Sequence, residues 1–328
     1  MRVLRVDDRV DARRGAIEHA AQLLRAGRLV AFPTETVYGL GANALDAAAV
    51  RRIYDAKGRP AINPLIVHVA SHGAAAALSA HWTPLAEALA AAFWPGPLTL
   101  VVQRLPVIPD IVTAGGTTVG LRMPAHPVAL ALLEEAGIPV AAPSANRANG
   151  ISPTTAEHVV SALGDAVDLI LDGGPTTVGI ESTVVDATGS APRILRFGMI
   201  DSDALSRVAR GVSRANDPAP GELPRSPGLL GRHYAPRARV LLGERAELAV
   251  VLRAMRGSGV APIGAMTFAR LEVDVPVVMP GDATGYARML YATLHGMDAA
   301  GCAVVLVERP PEEPAWEAIR DRLTRAAR

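Results

Sequence analysis

The sequence predicts an α/β protein of two domains joined by a linker. Three observations carry this. Over residues 1–210, short apolar runs of strand length alternate with segments whose apolar residues recur at helical spacing, an α/β or α+β layer design. Residues 211–236 lose all periodicity and are punctuated by Pro218, Pro220, Pro224, Pro227 and Pro236, which reads as a linker. Residues 237–328 return to strict strand–helix alternation, the pattern of a small Rossmann-like parallel sheet with right-handed crossovers.

The elements follow in order. Arg14 to Arg25 is a helix by apolar spacing, with Gly27 as its stop. Leu29 to Phe32 is a strand ending at Pro33, followed by a loop, P-T-E-T-V-Y-G-L-G, to Gly41. Asp46 caps a helix running to about Ala56, which puts Lys57 in the next loop. Leu65 to Val69, Leu98 to Val102, Thr118 to Met123 and Ile138 to Ala142 read as strands, and Thr83 to Phe93 and Pro127 to Glu135 as helices. Thr154 or Thr155 caps a helix to about Leu163. Val167 to Leu171, Ser182 to Val185 and Arg193 to Phe197 complete the first domain's strands. In the second domain the strands are Arg239 to Leu242, Val260 to Met266, Val275 to Met279 and Ala303 to Val307. Its helices are Glu244 to Met255, Ala283 to Ala299 and Pro314 to Ala326. No G-x-G-x-x-G follows its first strand, so no dinucleotide is assigned to it.

Composition narrows the function. The 328 residues are 50% hydrophobic and 20% charged, with a formal net charge of +1, so no bulk field argues for nucleic acid or an acidic membrane. One cysteine, Cys302, excludes an intramolecular disulfide and a multi-cysteine zinc site, and its hydrophobic setting reads as burial. The first residues carry no apolar signal core, and no apolar run is long enough to span a bilayer. A cytoplasmic protein is expected.

Lys and Arg total 33, yet Lys57 is the only lysine. Lysine is a compact point charge where arginine is a broad fork, so a site that accepts only the smaller cation would keep it. Chance survival on a solvated face explains a lone lysine equally well. The setting K-G-R-P, among residues that fix a loop, favours a role.

The motifs G-x-x-x-x-G-K-[ST], G-x-S-x-G and H-E-x-x-H are absent. What remains are polar loops at strand ends, where open α/β sheets place their ligands. Thr34 and Thr36 offer hydroxyls, or merely cap a turn. Arg59 and Asn63 follow Lys57 with a fork and an amide. His68 lies in the apolar run L-I-V-H-V, where a lone histidine is more often a satisfied core residue than a ligand. Arg122, in the strand of G-L-R-M-P, needs an anionic partner, because a buried unpaired guanidinium is costly. A-P-S-A-N-R-A-N-G-I-S presents Ser144, Asn146, Asn149 and Ser152, as ordinary loop polarity or as phosphate donors. G-I-E-S-T-V-V-D adds Ser182, and R-I-L-R-F-G adds Arg196. Four cations with many hydroxyls and no activated nucleophile suit phosphoryl or nucleotidyl transfer, where positioning and charge neutralisation dominate.

The runs P-T-E-T-V-Y-G-L, K-G-R, S-A-N and F-W-P-G-P-L-T-L resemble the YrdC-like family. S-P-G…H-Y-A-P and the trailing α/β unit resemble its long, two-domain threonylcarbamoyl-AMP synthases. The sequence departs from the pattern at Glu35, where Asp is expected, and in G-L-L-G-R before H-Y-A-P. The resemblance implies a twisted open sheet with a basic concavity. It implies condensation of L-threonine, bicarbonate and ATP to L-threonylcarbamoyl-AMP with release of pyrophosphate. The product would go to a tRNA threonylcarbamoyl transferase complex that modifies adenosine 37 of ANN-decoding tRNAs; direct tRNA binding is left open. Thr36, His68, Arg122, Ala142 and Ser182 would hold threonine. Lys57, Arg59, Asn63, Thr118, Ser144, Asn146, Ser152 and Arg196 would hold ATP, with Lys57 and Arg59 nearest the chemistry. The linker would lie over the concavity and bring His233 and Tyr234 to the nucleotide. Magnesium would arrive with the triphosphate, ligated mainly by phosphates and water. Two other classes remain: a double-stranded RNA-binding module, which near-zero net charge and few aromatics disfavour, and a carbamoyl-adenylate enzyme of metal-centre maturation, whose zinc fingers one cysteine cannot build.

Overall fold

The computed structural model describes residues 2–6, 10–215 and 234–328. Most of the predicted linker, with His233, lies outside the described residues.

The first domain is one large mixed sheet. Its strands lie in the order Arg2–Arg5, Leu169–Asp172, Val30–Pro33, Tyr38–Asn43, Val140–Ala141, Ile66–His68, Thr118–Arg122, Leu98–Arg104, Thr183–Asp186, Arg193–Arg196 and Ser213–Arg214, with Ser79–His81 paired to Leu98–Arg104 off this path. Tyr38–Asn43 corrects the loop expected there. Its near half pairs antiparallel with Val30–Pro33, and Ala42 and Asn43 pair antiparallel with Ala141 and Val140. Glycines hid the strand. At Gly41 a Cβ would sit 2.8 Å from the Phe32 ring and 2.9 Å from the Val140 side chain, so the strands can approach only there without one.

Helices cover the sheet as their caps dictate. Asp46 accepts from the Ala48 and Ala49 N–H groups and starts Ala47–Lys57; Gly58, at φ 60°, ends it. Lys57 is therefore in the last helical turn, not in a loop. Thr83 caps Pro84–Phe93, and Thr155 rather than Thr154 caps Ala156–Leu163.

The second domain is a four-stranded parallel sheet in the order Arg239–Gly243, Val304–Glu308, Ile263–Thr267, Val275–Val278. Helices Arg245–Gly257, Ala283–Ala299 and Glu317–Ala326 accompany it. Among the described residues no helix is long and apolar enough to cross a membrane.

The domains share an apolar cluster: Val37, Ile151 and Ile180 of the first pack with Tyr286, Leu290, Tyr291 and Leu294 of the second. Gly179, at φ 88°, permits this approach, since a Cβ would come within 2.4 Å of the Ala287 carbonyl oxygen. Nearby, His158 of the first domain stacks on His295 of the second, centroids 3.7 Å apart and planes at 16°. Burial lowers both histidines below their ordinary 6.5, His295 to about 4. The unfolded chain then binds more protons than the native one between about 4 and 6.5, so stability must fall as pH falls through that window. Melting temperature should drop from pH 6.5 toward 4, and less steeply in His158→Phe, which keeps a ring but removes one titrating group. Identical pH slopes in the two proteins would contradict this.

Candidate functional site

A cavity opens where strand ends of the large sheet converge. The turn after Val30–Pro33 contributes Thr34 and Thr36, and the ends of Ile66–His68 and Thr118–Arg122 contribute His68 and Arg122. Ala142 and Ser144 follow Val140–Ala141; Glu181 and Ser182 precede Thr183–Asp186; Arg196 ends Arg193–Arg196. Arg59 and Tyr234 close the wall.

Arg122 is held on three sides. Its Nε donates to Gly96 O at 3.3 Å, Nη1 to Thr36 Oγ1 at 2.9 Å and Nη2 to Glu35 Oε1 at 2.6 Å. Glu35 Oε2 accepts from the Ala125 N–H at 3.1 Å. So Glu35, the departure from the family pattern, is the buried anion that Arg122 requires. A guanidinium has about five N–H donors, and these bonds leave two. Thr36 Oγ1 also pairs with Thr34 Oγ1 at 2.8 Å, which fixes the turn.

His68 is not a satisfied core histidine. Its Nδ1 is buried with no partner among the described residues. Burial, and Arg122 beside it, push its pKa down to about 3, so it is neutral.

Arg196 donates to Ser182 O from Nε at 3.2 Å and from Nη2 at 3.0 Å, and to Ser182 Oγ at 3.2 Å. Ser182 Oγ also pairs with Thr99 Oγ1 at 2.8 Å. Arg59 donates to Asn63 O at 3.1 Å and Pro64 O at 2.8 Å. Burial brings Arg59 down to about 10, with Arg196 adding to the lowering against the opposing influence of Tyr54 and Tyr234.

The five residues expected at threonine, Thr36, His68, Arg122, Ala142 and Ser182, all line this cavity. Of those expected at ATP, Arg59, Ser144, Arg196 and Tyr234 line it, while Lys57, Asn63, Thr118, Asn146 and Ser152 do not. Asn63 is buried with its Oδ1 unpartnered among the described residues, and Thr118 sits opposite Gln103 at a strand start. Asn146 lines a neighbouring groove between the domains. The Ala142 N–H is taken by Ile66 O at 2.9 Å.

Lys57 overturns the expectation of a solvated loop cation. It is 2% exposed. Its Nζ donates to Ser144 O at 2.5 Å and to Asn146 O, with Asn146 Oδ1 at 3.5 Å. Burial, then Arg59, push its pKa well below the usual lysine value. The Lys57 Nζ thus pins the S-A-N loop that carries Ser144 to the cavity.

Glu181, inside G-I-E-S-T, is a further residue of the cavity wall that no sequence motif marks. Its carboxylate accepts from Ser152 Oγ, from the Tyr291 hydroxyl at 3.0 Å and from Arg322 Nε at 2.9 Å. Burial alone would raise its pKa, but Arg322, Arg196 and these donors hold it at about 2. Tyr291 and Arg322 belong to the second domain, far along the chain, and no local motif marks them.

The chain is similar to known proteins over both domains. A family described as "Telomere recombination" matches residues 22–198, and "Threonylcarbamoyl-AMP synthase, C-terminal domain" matches residues 200–328. The threonylcarbamoyl-AMP synthase of Pyrococcus abyssi is 41% identical over 320 residues, 95% of this chain and 94% of that one. That of Bacillus subtilis is 47% identical over 249 residues, 73% of this chain and 70% of that one. A crystal structure of P. abyssi Sua5 complexed with L-threonine superposes with a TM-score of 0.94 at 39% identity, covering 100% of this chain and 98% of that chain. By both domains and by its full-length fold, the chain belongs to the YrdC/Sua5 family of two-domain threonylcarbamoyl-AMP synthases.

Proposed function

We infer that the chain is an L-threonylcarbamoyladenylate synthase, a nucleotidyltransferase that joins L-threonine, bicarbonate and ATP and releases pyrophosphate. The observation that carries the reading is Arg122, buried on the cavity wall with two donors beyond those used by Gly96, Thr36 and Glu35. A guanidinium fork so placed suits an amino-acid carboxylate. Thr36 and Ser182 supply hydroxyls for the amino acid's polar groups. His68, too acidic when protonated to hold a proton at neutral pH, serves as a neutral hydrogen-bonding partner.

In this reading threonine's amine is carboxylated first. A carbamate oxygen then attacks the α-phosphorus, and the bond from that phosphorus to the bridging oxygen breaks as pyrophosphate leaves. Arg59 and Arg196 offset the phosphate charge, and Ser144, held by Lys57, gives a hydroxyl. Asn63, Thr118, Asn146 and Ser152 belong to the nucleotide's surroundings, beyond the cavity itself.

Magnesium is a different matter. Among the described residues no three His, Cys, Asp or Glu side chains converge as a metal site. The carboxylate on the cavity wall, Glu181, already accepts from Ser152, Tyr291 and Arg322. These residues do not form a cage for the ion, so it would come with the nucleotide's phosphates and water. The product's mixed anhydride is a reactive acyl donor, suited to a transferase acting on tRNA.

The test is pyrophosphate release from ATP and magnesium, with threonine and bicarbonate added singly and together. Release should require both. Equal release from ATP alone would mark a simple pyrophosphohydrolase and overturn the reading.

A further inference from the structure

Arg322, on the last helix of the second domain, is 1% exposed and does not line the cavity. Yet it holds both flanks of a pair that does. Its Nε donates to Glu181, the residue before Ser182. Its Nη2 donates at 2.8 Å to Phe197 O, the residue after Arg196. Ser182 and Arg196 are bonded to each other between these two anchors. The Arg322 guanidinium also lies 4.9 Å from the centroid of the Tyr234 ring, which stacks on Tyr291 at 5.9 Å. Nη1 is held by Asp321 at 2.7 Å, so the guanidinium is bonded through all three of its nitrogens.

Stability alone is a weak reason for such an arrangement. A buried ion pair can often be replaced by apolar residues without loss, because desolvation consumes most of the attraction. Here an apolar cluster already fastens the domains. What the ion pair adds is direction. A charge-assisted bond on each flank fixes where Ser182 and Arg196 stand, and the Glu181 carboxylate sets the field around Arg196.

We propose that Arg322 is a positioning residue for the nucleotide half of the site, acting through Glu181 and the Phe197 carbonyl on the Ser182–Arg196 pair. The second domain thereby completes the active site without entering it. The proposal rests on the reading of Arg196 as a nucleotide ligand.

The experiment compares wild type, Arg322→Met, Arg322→Lys and the double variant Glu181→Gln/Arg322→Met. The double variant removes both charges of the buried pair, and Asp321 keeps Arg325 Nε at 2.9 Å, so it should melt close to wild type. KM for ATP should rise about tenfold in Arg322→Met and in the double variant, and KM for threonine should rise by a smaller factor, because Ser182, half of the pair, is assigned to the amino acid. Arg322→Lys should recover only part of the loss, because lysine keeps the charge but cannot span both acceptors. Calorimetric affinity for a non-hydrolysable ATP analogue, measured in the same proteins, should weaken in parallel. It reports on Arg322 even where wild type releases no pyrophosphate, which would be a failure of the functional reading instead. Wild-type nucleotide affinity in the double variant would overturn the proposal. So would failure of the double variant to fold, or a lowered melting temperature with both KM values unchanged, since each would make the pair a structural fastener only.

Discussion

Arg122→Gln should raise KM for threonine by about 10- to 100-fold, the loss of a charge-assisted carboxylate contact worth roughly 1.5–3 kcal/mol. Affinity for ATP should change less, because in the proposed reading Arg122 holds the amino-acid carboxylate while Arg59 and Arg196 offset the phosphate charge. The single variant carries a second cost. It leaves Glu35 buried and unpaired, and breaking such a pair costs about 3–5 kcal/mol of stability. Glu35→Gln/Arg122→Gln removes both charges and separates the two effects. The double variant should recover most of the melting temperature and none of the threonine affinity. If threonine KM also recovered, Arg122 would be a structural cation and the amino-acid site would lie elsewhere.

Lys57 should be costly to replace in fold and in rate. Lys57→Ala strips a donor from the buried carbonyl of Asn146, at about 1–3 kcal/mol if left unpaired, and from the part-buried carbonyl of Ser144, at less. Each kcal/mol is worth about 2–4 °C in a domain of this size. Lys57→Arg forces a broad, fixed-charge fork into a filled space, at about 1–3 kcal/mol. Turnover should fall at least about tenfold in both, about 1.4 kcal/mol of barrier, because the loop carrying Ser144 loses its anchor. Thermal melting and turnover on both variants check this. Wild-type melting and wild-type turnover in Lys57→Arg would mean that the lone lysine is an accident of composition.

The site was legible in the sequence where function sits in contiguous loops. Thr36, Arg122, Ser144 and Arg196 each end or follow an apolar strand run and Ser182 opens one, and strand ends in such sheets converge. What stayed hidden was of two kinds. Tyr38–Asn43 is a strand whose alternation is erased by Gly39 and Gly41, so a close approach of backbones reads as a turn. Burial of charge was also invisible, because it depends on what the chain folds over. Lys57 looked solvated beside Gly58, and its acceptors lie 87 and 89 residues away. Glu181 carried no signal of its own, because Arg322, which packs against it, lies 141 residues further on. Local pattern names the residues of a site, but tertiary contact decides which of them touch substrate and which hold the others in place.

The most direct measurement is mass spectrometry of the product formed from ATP, magnesium, threonine and isotopically labelled bicarbonate. The account predicts a threonyl adduct of AMP that carries the label in its carbamoyl carbon, formed together with pyrophosphate. Unlabelled threonyl-AMP would contradict it, since threonine's own carboxylate would then have attacked the α-phosphorus and the orientation assigned to Arg122 would be wrong.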